Sequence, residues 1–284
     1  MNYSQTQPHK FAVLIHTCDR YQFLYPGFHY FFSQHWDFDT RCNYYFATEE
    51  LATDLPHFNN IQSGKGEWAD RLRYLLQNVI KEQYIIYFQE DMWLTRPVSS
   101  SFFNQLFDLI TQQQWKQVKL TSSNVYRTDS TPHFIEGFNI AKLDNATSGF
   151  LMSHQVTIWD KNYLIAQLHQ GEHPWRNERK GTKRLKKLNP DIYQADYFAE
   201  NGHPPINNNK LEAVQSEYFT ISGNSMLQNN VLPYIKRLQQ GGAEQQRFAN
   251  ELLNHYHNQL THDGHPKPRK EDIFKKIKKF FKGG

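Results

Sequence analysis

The chain has 284 residues, of which 38% are hydrophobic and 21% charged, which excludes a disordered protein and allows a sizeable core. Its net charge is +4, but eight basic and two acidic residues lie from Lys267 onward. This segment contributes +6 and leaves the rest of the chain at −2. A nearly neutral body excludes the broad basic surface of a general nucleic-acid-binding protein, so no nucleic-acid partner is expected.

Cysteine usage and hydropathy indicate a reducing compartment. Cys18 and Cys42 are too few for a disulfide framework or a zinc knuckle. The polar residues 1–10 lack the apolar core of a signal peptide, and no apolar stretch reaches the roughly 18–20 residues that span a bilayer. The sequence therefore predicts a cytoplasmic protein.

Apolar strands and amphipathic helices alternate along the first half of the chain. The predicted strands are residues 11–15, 42–47, 84–88 and 117–120. The predicted helices between and after them are residues 23–36, 68–81, 102–115, 161–168 and 242–256. This alternation predicts an α/β fold with a mostly parallel central sheet flanked by helices.

Charged side chains follow three of these strands where each strand ends. The carboxyl ends of parallel strands meet at one edge, which is where open α/β sheets bind ligands. Gly64-Lys65-Gly66, before the second helix, lets backbone amides approach an anion, although an ordinary turn explains the same glycines. The strand-end residues are Thr17, Asp19, Arg20, Glu49, Glu50, Glu90 and Asp91.

The order of these segments resembles a GT-A-fold (Rossmann-like) glycosyltransferase, in particular the bacterial enzymes that build capsule or lipopolysaccharide glycans. The shared features are a strand ending near Thr-x-x-Arg, a strand ending on acids, Gly-Lys-Gly-x-Trp-x-x-Arg-Leu at 64–72 and a strand ending in Glu-Asp. Gln-x-x-x-Trp at 155–159 and Trp-x-x-Glu at 175–178 continue the similarity. It covers about residues 11–200.

The resemblance implies a nucleotide-sugar donor site at the strand ends. Thr17, Asp19 and Arg20 would line the base and ribose, with Glu49 nearby. Arg71 would face the nucleotide or its diphosphate. The residues themselves suggest that Lys65 adds positive charge beside the same anion.

The resemblance also places Glu90-Asp91 where the family has Asp-x-Asp, which holds a divalent cation bridging the donor diphosphate. The resemblance thus assigns Glu90 to the donor site. Neighbouring strand residues point to opposite faces, so we expect Asp91 to be the ligand for Mn²⁺ or Mg²⁺, with Glu90 turned away from the ion or holding a neighbouring side chain. A basic residue is the alternative source of positive charge, which leaves metal dependence open. His203 is a second candidate ligand, and a loop histidine without a role is the alternative.

Transfer of a sugar to a hydroxyl group requires a base, and Glu178 is the candidate. We expect the indole of Trp175 to form an apolar wall that raises the pKa of Glu178; a solvated glutamate beside neighbouring arginines is the alternative. With Glu178 as base the reaction is a single displacement with inversion, and retention stays open. His154, Gln155 and Trp175 are predicted to line the acceptor or sugar pocket.

The C-terminal segment 270–284 has the pattern of a basic amphipathic helix. Its large apolar side chains fall within about 120° of a helical wheel, and five lysines fall opposite. Such a helix binds anionic membrane surfaces, which predicts attachment to the inner face of the cell membrane. The apolar residues are Ile273, Phe274, Ile277, Phe280 and Phe281.

The predicted organisation is a catalytic domain over 1–256, a linker over 257–269 and a membrane helix over 270–284. Within the catalytic domain, residues 10–128 would bind the nucleotide and residues 129–256 the acceptor. The predicted function is transfer of a sugar from a nucleotide-sugar to a glycan or lipid-linked acceptor. The alternatives are a non-catalytic nucleotide- or sugar-binding module and a metal-dependent phosphohydrolase, which would need more converging Asp and His ligands.

Overall fold

The computed structural model describes residues 9–267 of the chain. These residues form two compact units, one ending at Thr220 and the other beginning at Ile221. The predicted membrane helix at 270–284 lies outside the described residues. Within residues 9–267, none of the helices combines the length and the apolar character that crossing a bilayer requires.

The first unit contains thirteen strands and five α-helices. The strands are β1 (Phe11–His16), β2 (Cys42–Thr48), β3 (Asn59–Gln62), β4 (Tyr84–Phe88), β5 (Met92–Leu94), β6 (Gln117–Thr121), β7 (Thr128–Asp129), β8 (Phe134–Ile135), β9 (Phe138–Asn139), β10 (Ala141–Leu143), β11 (Thr157–Asp160), β12 (Tyr193–Glu200) and β13 (Ser216–Thr220). The helices are α1 (Tyr25–His35), α2 (Trp68–Asn78), α3 (Ser100–Gln113), α4 (Lys161–Gln167) and α5 (Pro174–Leu188).

Eleven of these strands form one mixed sheet in the order β3-β2-β1-β4-β11-β6-β12-β10-β7, with β13 beside β12 and β5 beside β13. Strands β2, β1 and β4 are parallel, as the sequence predicts, and β3, which it does not predict, is parallel to β2. Strand β11 runs antiparallel to both β4 and β6, so the prediction of a mostly parallel sheet is wrong. The reason is the connection: no helix separates β6 from β11 in the described chain, and parallel neighbours need such a crossover.

Strands β1 and β4 are buried along their whole length, which shows that both faces of the sheet are covered there. Ala12 and Leu14 share a core cluster with the apolar side of α2. On the opposite face, Phe11 stacks on Phe107 of α3 at 3.9 Å between ring centroids. Aromatic side chains therefore contribute to the core on this face of the sheet.

The second unit comprises β14 (Ser222–Gly223), β15 (Met226–Leu227), α6 (Leu232–Gln239) and α7 (Ala243–His257). The described part of the predicted linker is packed into this unit. Thr261 forms a β-bridge with Met226, and Ser222 Oγ lies 2.6 Å from Nε2 of the buried His262.

Candidate active site

The candidate donor residues lie on turns that follow β1, β2 and β4 at one edge of the sheet. The strand register places His16 beside Ala47 and Ile15 beside Phe88. The three strands therefore end side by side, and the residues after them come from adjacent positions. This is the arrangement that the sequence predicts for Thr17, Glu49 and Glu90.

Asp19 holds the loop that follows β2. Its carboxylate accepts hydrogen bonds from the backbone amides of Glu49 at 2.9 Å, Glu50 at 2.9 Å and Leu51 at 3.0 Å. Its own amide donates to Glu49 Oε2 at 3.0 Å. The carboxylate is thus already engaged with the protein. A contact from Asp19 to a base or ribose stays a prediction.

Arg71 extends from α2 to the end of β1 and is buried. Its Nη1 donates to the carbonyl oxygen of Thr17 at 3.0 Å, and its Nε lies 3.6 Å from Glu49 Oε1. The guanidinium group therefore ties α2 to the ends of β1 and β2. Its Nε has no hydrogen-bond partner within residues 9–267, so it retains a buried donor.

The turn before α2 contains the predicted anion-binding glycines. Gly64 and Gly66 have φ values of 71° and 149°, a conformation that glycine adopts without strain. The amide of Ala69 in the first turn of α2 donates to the carbonyl oxygen of Glu172 at 3.2 Å, so an anion cannot use it. Lys65 is exposed, with Nζ 2.9 Å from Glu50 Oε2. Arg20 is exposed on the turn after β1.

A tight turn after β4 presents the two adjacent acids. The indole Nε1 of Trp93 donates to the carbonyl oxygen of Glu90 at 3.0 Å, and Trp93 itself is buried. The pKa of Glu90 is raised well above its ordinary value, mainly by burial and secondly by the negative charge of Asp91. Burial also raises the pKa of the half-buried Asp91 to about 7.

The carboxylates of Glu90 and Asp91 are suitable cation ligands, but few other metal-binding side chains lie beside them in the described chain. No group of three His, Cys, Asp or Glu side chains within residues 9–267 is arranged to hold a metal ion. His203 is exposed, and its backbone amide donates to the carbonyl oxygen of Glu200 at 2.9 Å. Magnesium commonly binds through one or two carboxylates plus substrate phosphates, and Asp91 fits that mode. A cation would also favour the ionised form of this carboxyl group.

Glu178 lies on α5 and faces the loop before β11. The backbone amide of His154 donates to Glu178 Oε1 at 2.9 Å. Burial raises the pKa of Glu178, while this hydrogen bond and Lys119 oppose the rise. Trp175 is 68% exposed, so the expected indole wall does not account for the burial. The raised pKa was expected from the sequence, but for the wrong reason.

Lys119 is a site residue that the sequence analysis missed. It lies in the middle of β6 and is fully buried, with Nζ donating to Ser153 Oγ at 2.7 Å. Burial lowers the pKa of Lys119 to about 7, and the carboxylates of Glu178 and Glu200 oppose this effect. A lysine between Val118 and Leu120 in a predicted strand was the available signal.

Glu200, at the end of β12, is the second missed residue. Burial raises the pKa of Glu200 to about 7, repulsion from Glu178 and Asp91 adds to the rise, and Lys119 opposes it. Glu178 and Glu200 therefore act on the buried amine of Lys119, and Asp91 acts on Glu200. We call these four residues, Lys119, Glu178, Glu200 and Asp91, the charge cluster.

Neutral rings lie between Arg71 and the charge cluster. The His154 ring is 4.3 Å from Trp68 and 5.9 Å from Tyr87, measured between centroids. Burial lowers the pKa of His154 to about 3, so its imidazole is neutral at physiological pH. Its neighbour Gln155 accepts a hydrogen bond from the Tyr218 hydroxyl at 2.7 Å.

Comparison with known proteins identifies no family. No protein-family model matches the chain, and no curated protein matches it. Among solved structures, the chain is similar to S. aureus TarS 1–349, with a TM-score of 0.44, 10% identity, and coverage of 86% of this chain and 71% of that chain. For TarS 1–349 in complex with UDP-GlcNAc the TM-score is 0.44, the identity is 11%, and the coverages are 86% and 72%. With TM-scores below 0.5, these similarities leave the function to be inferred from the residues of the site.

Asp19→Asn should destabilise the protein, because an amide group cannot accept all the hydrogen bonds that the carboxylate accepts. We expect the free energy of unfolding to fall by about 1–3 kcal/mol, measured by urea denaturation. Asp54→Asn is the matched control, since Asp54 is exposed. Equal stability of the two variants would show that Asp19 does not hold the loop.

Glu200→Gln should change how stability depends on pH. A carboxyl group whose folded pKa is raised stabilises the fold below its unfolded pKa, and this contribution is lost as pH rises through the folded pKa. The variant should therefore gain stability relative to the wild type between about pH 4.5 and 7, reaching about 1–3 kcal/mol. Urea denaturation across this range measures the difference, with the exposed Glu212→Gln as control. A difference independent of pH would contradict the raised pKa.

Proposed function

We propose that this protein transfers a sugar from a nucleotide-sugar donor to a hydroxyl group of a glycan or lipid-linked acceptor. The observation that carries the proposal is that β1, β2 and β4 end side by side, with Arg71 bound to the end of β1 and paired with Glu49 after β2. Burial raises the pKa of Tyr87 in β4, and the charges of Glu90, Arg71 and Glu178 also act on its hydroxyl group. A phosphate-binding cation, a strand-end acid and a candidate base thus share one site.

The leaving group sets the first chemical requirement. Breaking the bond between the sugar and a nucleoside diphosphate creates negative charge on the departing phosphate, which must be neutralised. Arg71 supplies a fixed positive charge beside the ends of β1 and β2, with a buried Nε that lacks a hydrogen-bond partner in the described chain. A divalent cation held by Asp91, with Glu90 adjacent, would supply further positive charge at the diphosphate.

The acceptor sets the second requirement, because its hydroxyl group must lose a proton as it attacks the sugar. Glu178 is suited to take this proton, since its raised pKa makes it a stronger base than a solvated glutamate. The backbone amide of His154 holds Oε1 and fixes the carboxylate. The reaction would then be a single displacement with inversion at the anomeric carbon.

The biological setting follows from the sequence. The resemblance of the motifs to bacterial capsule and lipopolysaccharide enzymes supports an acceptor of that kind. The basic amphipathic pattern at 270–284 supports attachment to the cytoplasmic face of an anionic membrane, where lipid-linked acceptors are found.

Glu178→Gln should abolish turnover while preserving donor binding. We expect release of nucleoside diphosphate to fall by about 10²–10⁴-fold, because the amide cannot accept a proton. A panel of sugar nucleotides, assayed by nucleotide release and by thermal shift, measures both properties. In the wild type, turnover should decline as pH falls through the raised pKa of Glu178. Glu212→Gln is the control; nucleotide binding without any turnover by the wild type would instead indicate a binding module.

Arg71→Met should weaken nucleoside diphosphate binding by at least about 10-fold, because a charge-assisted contact is lost. Titration calorimetry with the nucleotide that the panel identifies measures this effect. Arg73→Met is the matched control, since Arg73 belongs to the same helix and lines a separate surface pocket with Gln77 and His169. Unchanged affinity for Arg71→Met, or equal losses in both variants, would contradict the assignment.

A further inference from the structure

The solvent-exposed side of α5 is rich in basic side chains. The helix contains seven basic residues and one acidic residue, Glu178. Its packed side consists of Asn177, Gly181 and Leu185, which are buried. Its exposed side chains are Trp175, Arg176, Arg179, Lys180, Lys183, Lys186, Lys187 and Leu188.

Five of these cations form a continuous row, which we call the basic stripe. At 3.6 residues per turn they lie within about 100° of the helix circumference and extend over about 16 Å. None of them forms an ion pair with any residue in the described range 9–267. The stripe consists of Arg176, Arg179, Lys180, Lys183 and Lys187.

The two other basic residues of α5, Arg184 and Lys186, contact neighbouring parts of the domain. Arg184 Nη2 lies 3.0 Å from Glu172 Oε2, and Lys186 Nζ donates to the carbonyl oxygen of Ala146 at 2.9 Å. These two side chains hold α5 to its surroundings. The stripe makes no comparable contact with the part of the chain that the structure describes, so packing among these residues does not explain it.

The stripe also works against the helix that carries it. Like charges four residues apart repel, as in the pairs Arg176–Lys180 and Arg179–Lys183. Cations near a helix N-terminus oppose the helix dipole, and the first turn of α5 has no acidic residue to compensate. An anionic ligand would remove both penalties.

Around the circumference of α5, Trp175 lies between Glu178, the candidate base, and the basic stripe. At 100° per residue, Glu178 is on the protein-facing side, Trp175 follows at about 60° and Arg179 at about 100° from Glu178. The Trp175 ring is 68% exposed, which is unusual for so large an apolar side chain. An exposed indole is a suitable stacking surface for a sugar ring.

We propose that the acceptor is an anionic glycan, bearing carboxylate or phosphate groups, that runs from Glu178 across Trp175 and along the basic stripe. This inference rests on the proposed function and names its acceptor class. The reacting hydroxyl group lies at Glu178, a neighbouring sugar stacks on Trp175, and acidic groups further along the chain pair with the stripe.

A chain-like anion fits α5 better than a membrane surface does. A helix that lies in a membrane interface inserts a free apolar face, whereas the apolar side of α5 is packed on the domain. Only Trp175 and Leu188, near its two ends, expose large apolar groups. The stripe therefore offers charge along its length without an inserting face.

Binding of a defined acidic oligosaccharide tests the proposal. The probe is a fluorescently labelled oligogalacturonate, compared with a neutral malto-oligosaccharide of equal length, and the readout is fluorescence anisotropy with the full chain. The stripe variant is Arg179→Gln/Lys183→Gln/Lys187→Gln. The charge-matched control is Lys10→Gln/Lys81→Gln/Lys236→Gln, which removes three exposed lysines elsewhere.

We expect the wild type and the control to bind the acidic chain at least about 10-fold more tightly than the neutral chain. The stripe variant should lose at least about 10-fold in affinity for the acidic chain, and Trp175→Ala should weaken the binding of both chains. Added salt should weaken acidic-chain binding less in the stripe variant than in the wild type, because fewer charges remain to be screened.

Equal affinity of the stripe variant and the wild type for the acidic chain would overturn the proposal. The proposal would also be overturned if the stripe variant lost affinity for phosphatidylglycerol vesicles and kept its affinity for the acidic chain. That result would indicate that the stripe binds a membrane surface. Thermal shift with the sugar-nucleotide panel tests the proposed function separately. Nucleotide binding without acidic-chain binding defeats this inference alone, and failure of every sugar nucleotide to bind defeats the proposed function.

Discussion

The burial of charged groups beside the end of β4 is the constraint on which the rest of the site depends. An ionised side chain inside a protein is costly unless an opposite charge compensates it. Lys119 is fully buried, and its amine donates a hydrogen bond to the hydroxyl group of Ser153. Glu178 and Glu200 compensate the amine, and burial raises the pKa values of both carboxyl groups against the opposing effect of Lys119. The same burial therefore holds the cluster together and makes Glu178 a stronger base.

A second, more rigid arrangement positions the donor end of the site. Asp19 binds three backbone amides of the loop after β2, and Arg71 ties α2 to the end of β1. These contacts fix backbone segments rather than mobile side chains. In the proposed function, Arg71 thus has two roles, because the guanidinium group that joins the elements also provides the positive charge for the diphosphate. Neutral rings around His154 connect this end to the charge cluster.

Local sequence predicted the strands β1, β2, β4 and β6, and it did so most directly for β1 and β4, which are compact apolar runs followed by polar residues. The orientation of β11 could not be predicted in this way, since strand direction depends on the connection and not on the strand's own residues. Glu178 is a candidate base on the strength of a short motif, and this role stays a prediction. The expected wall of Trp175 is not formed, because helix periodicity turns that ring to the solvent. Lys119 and Glu200 were missed because their chemistry arises from burial, which is a property of the assembled sheet. Asp19 was found at the right strand end, while its contacts to the loop amides depend on tertiary geometry.

The most direct test of the central claim is a crystal structure of the protein with Mn²⁺ and the nucleoside diphosphate that binds it. The account predicts that the diphosphate lies between Arg71 and Asp91. If an ion is bound, it contacts the Asp91 carboxylate; if no ion is bound, Arg71 contacts the phosphate oxygens. A nucleotide bound away from the ends of β1, β2 and β4 would contradict it.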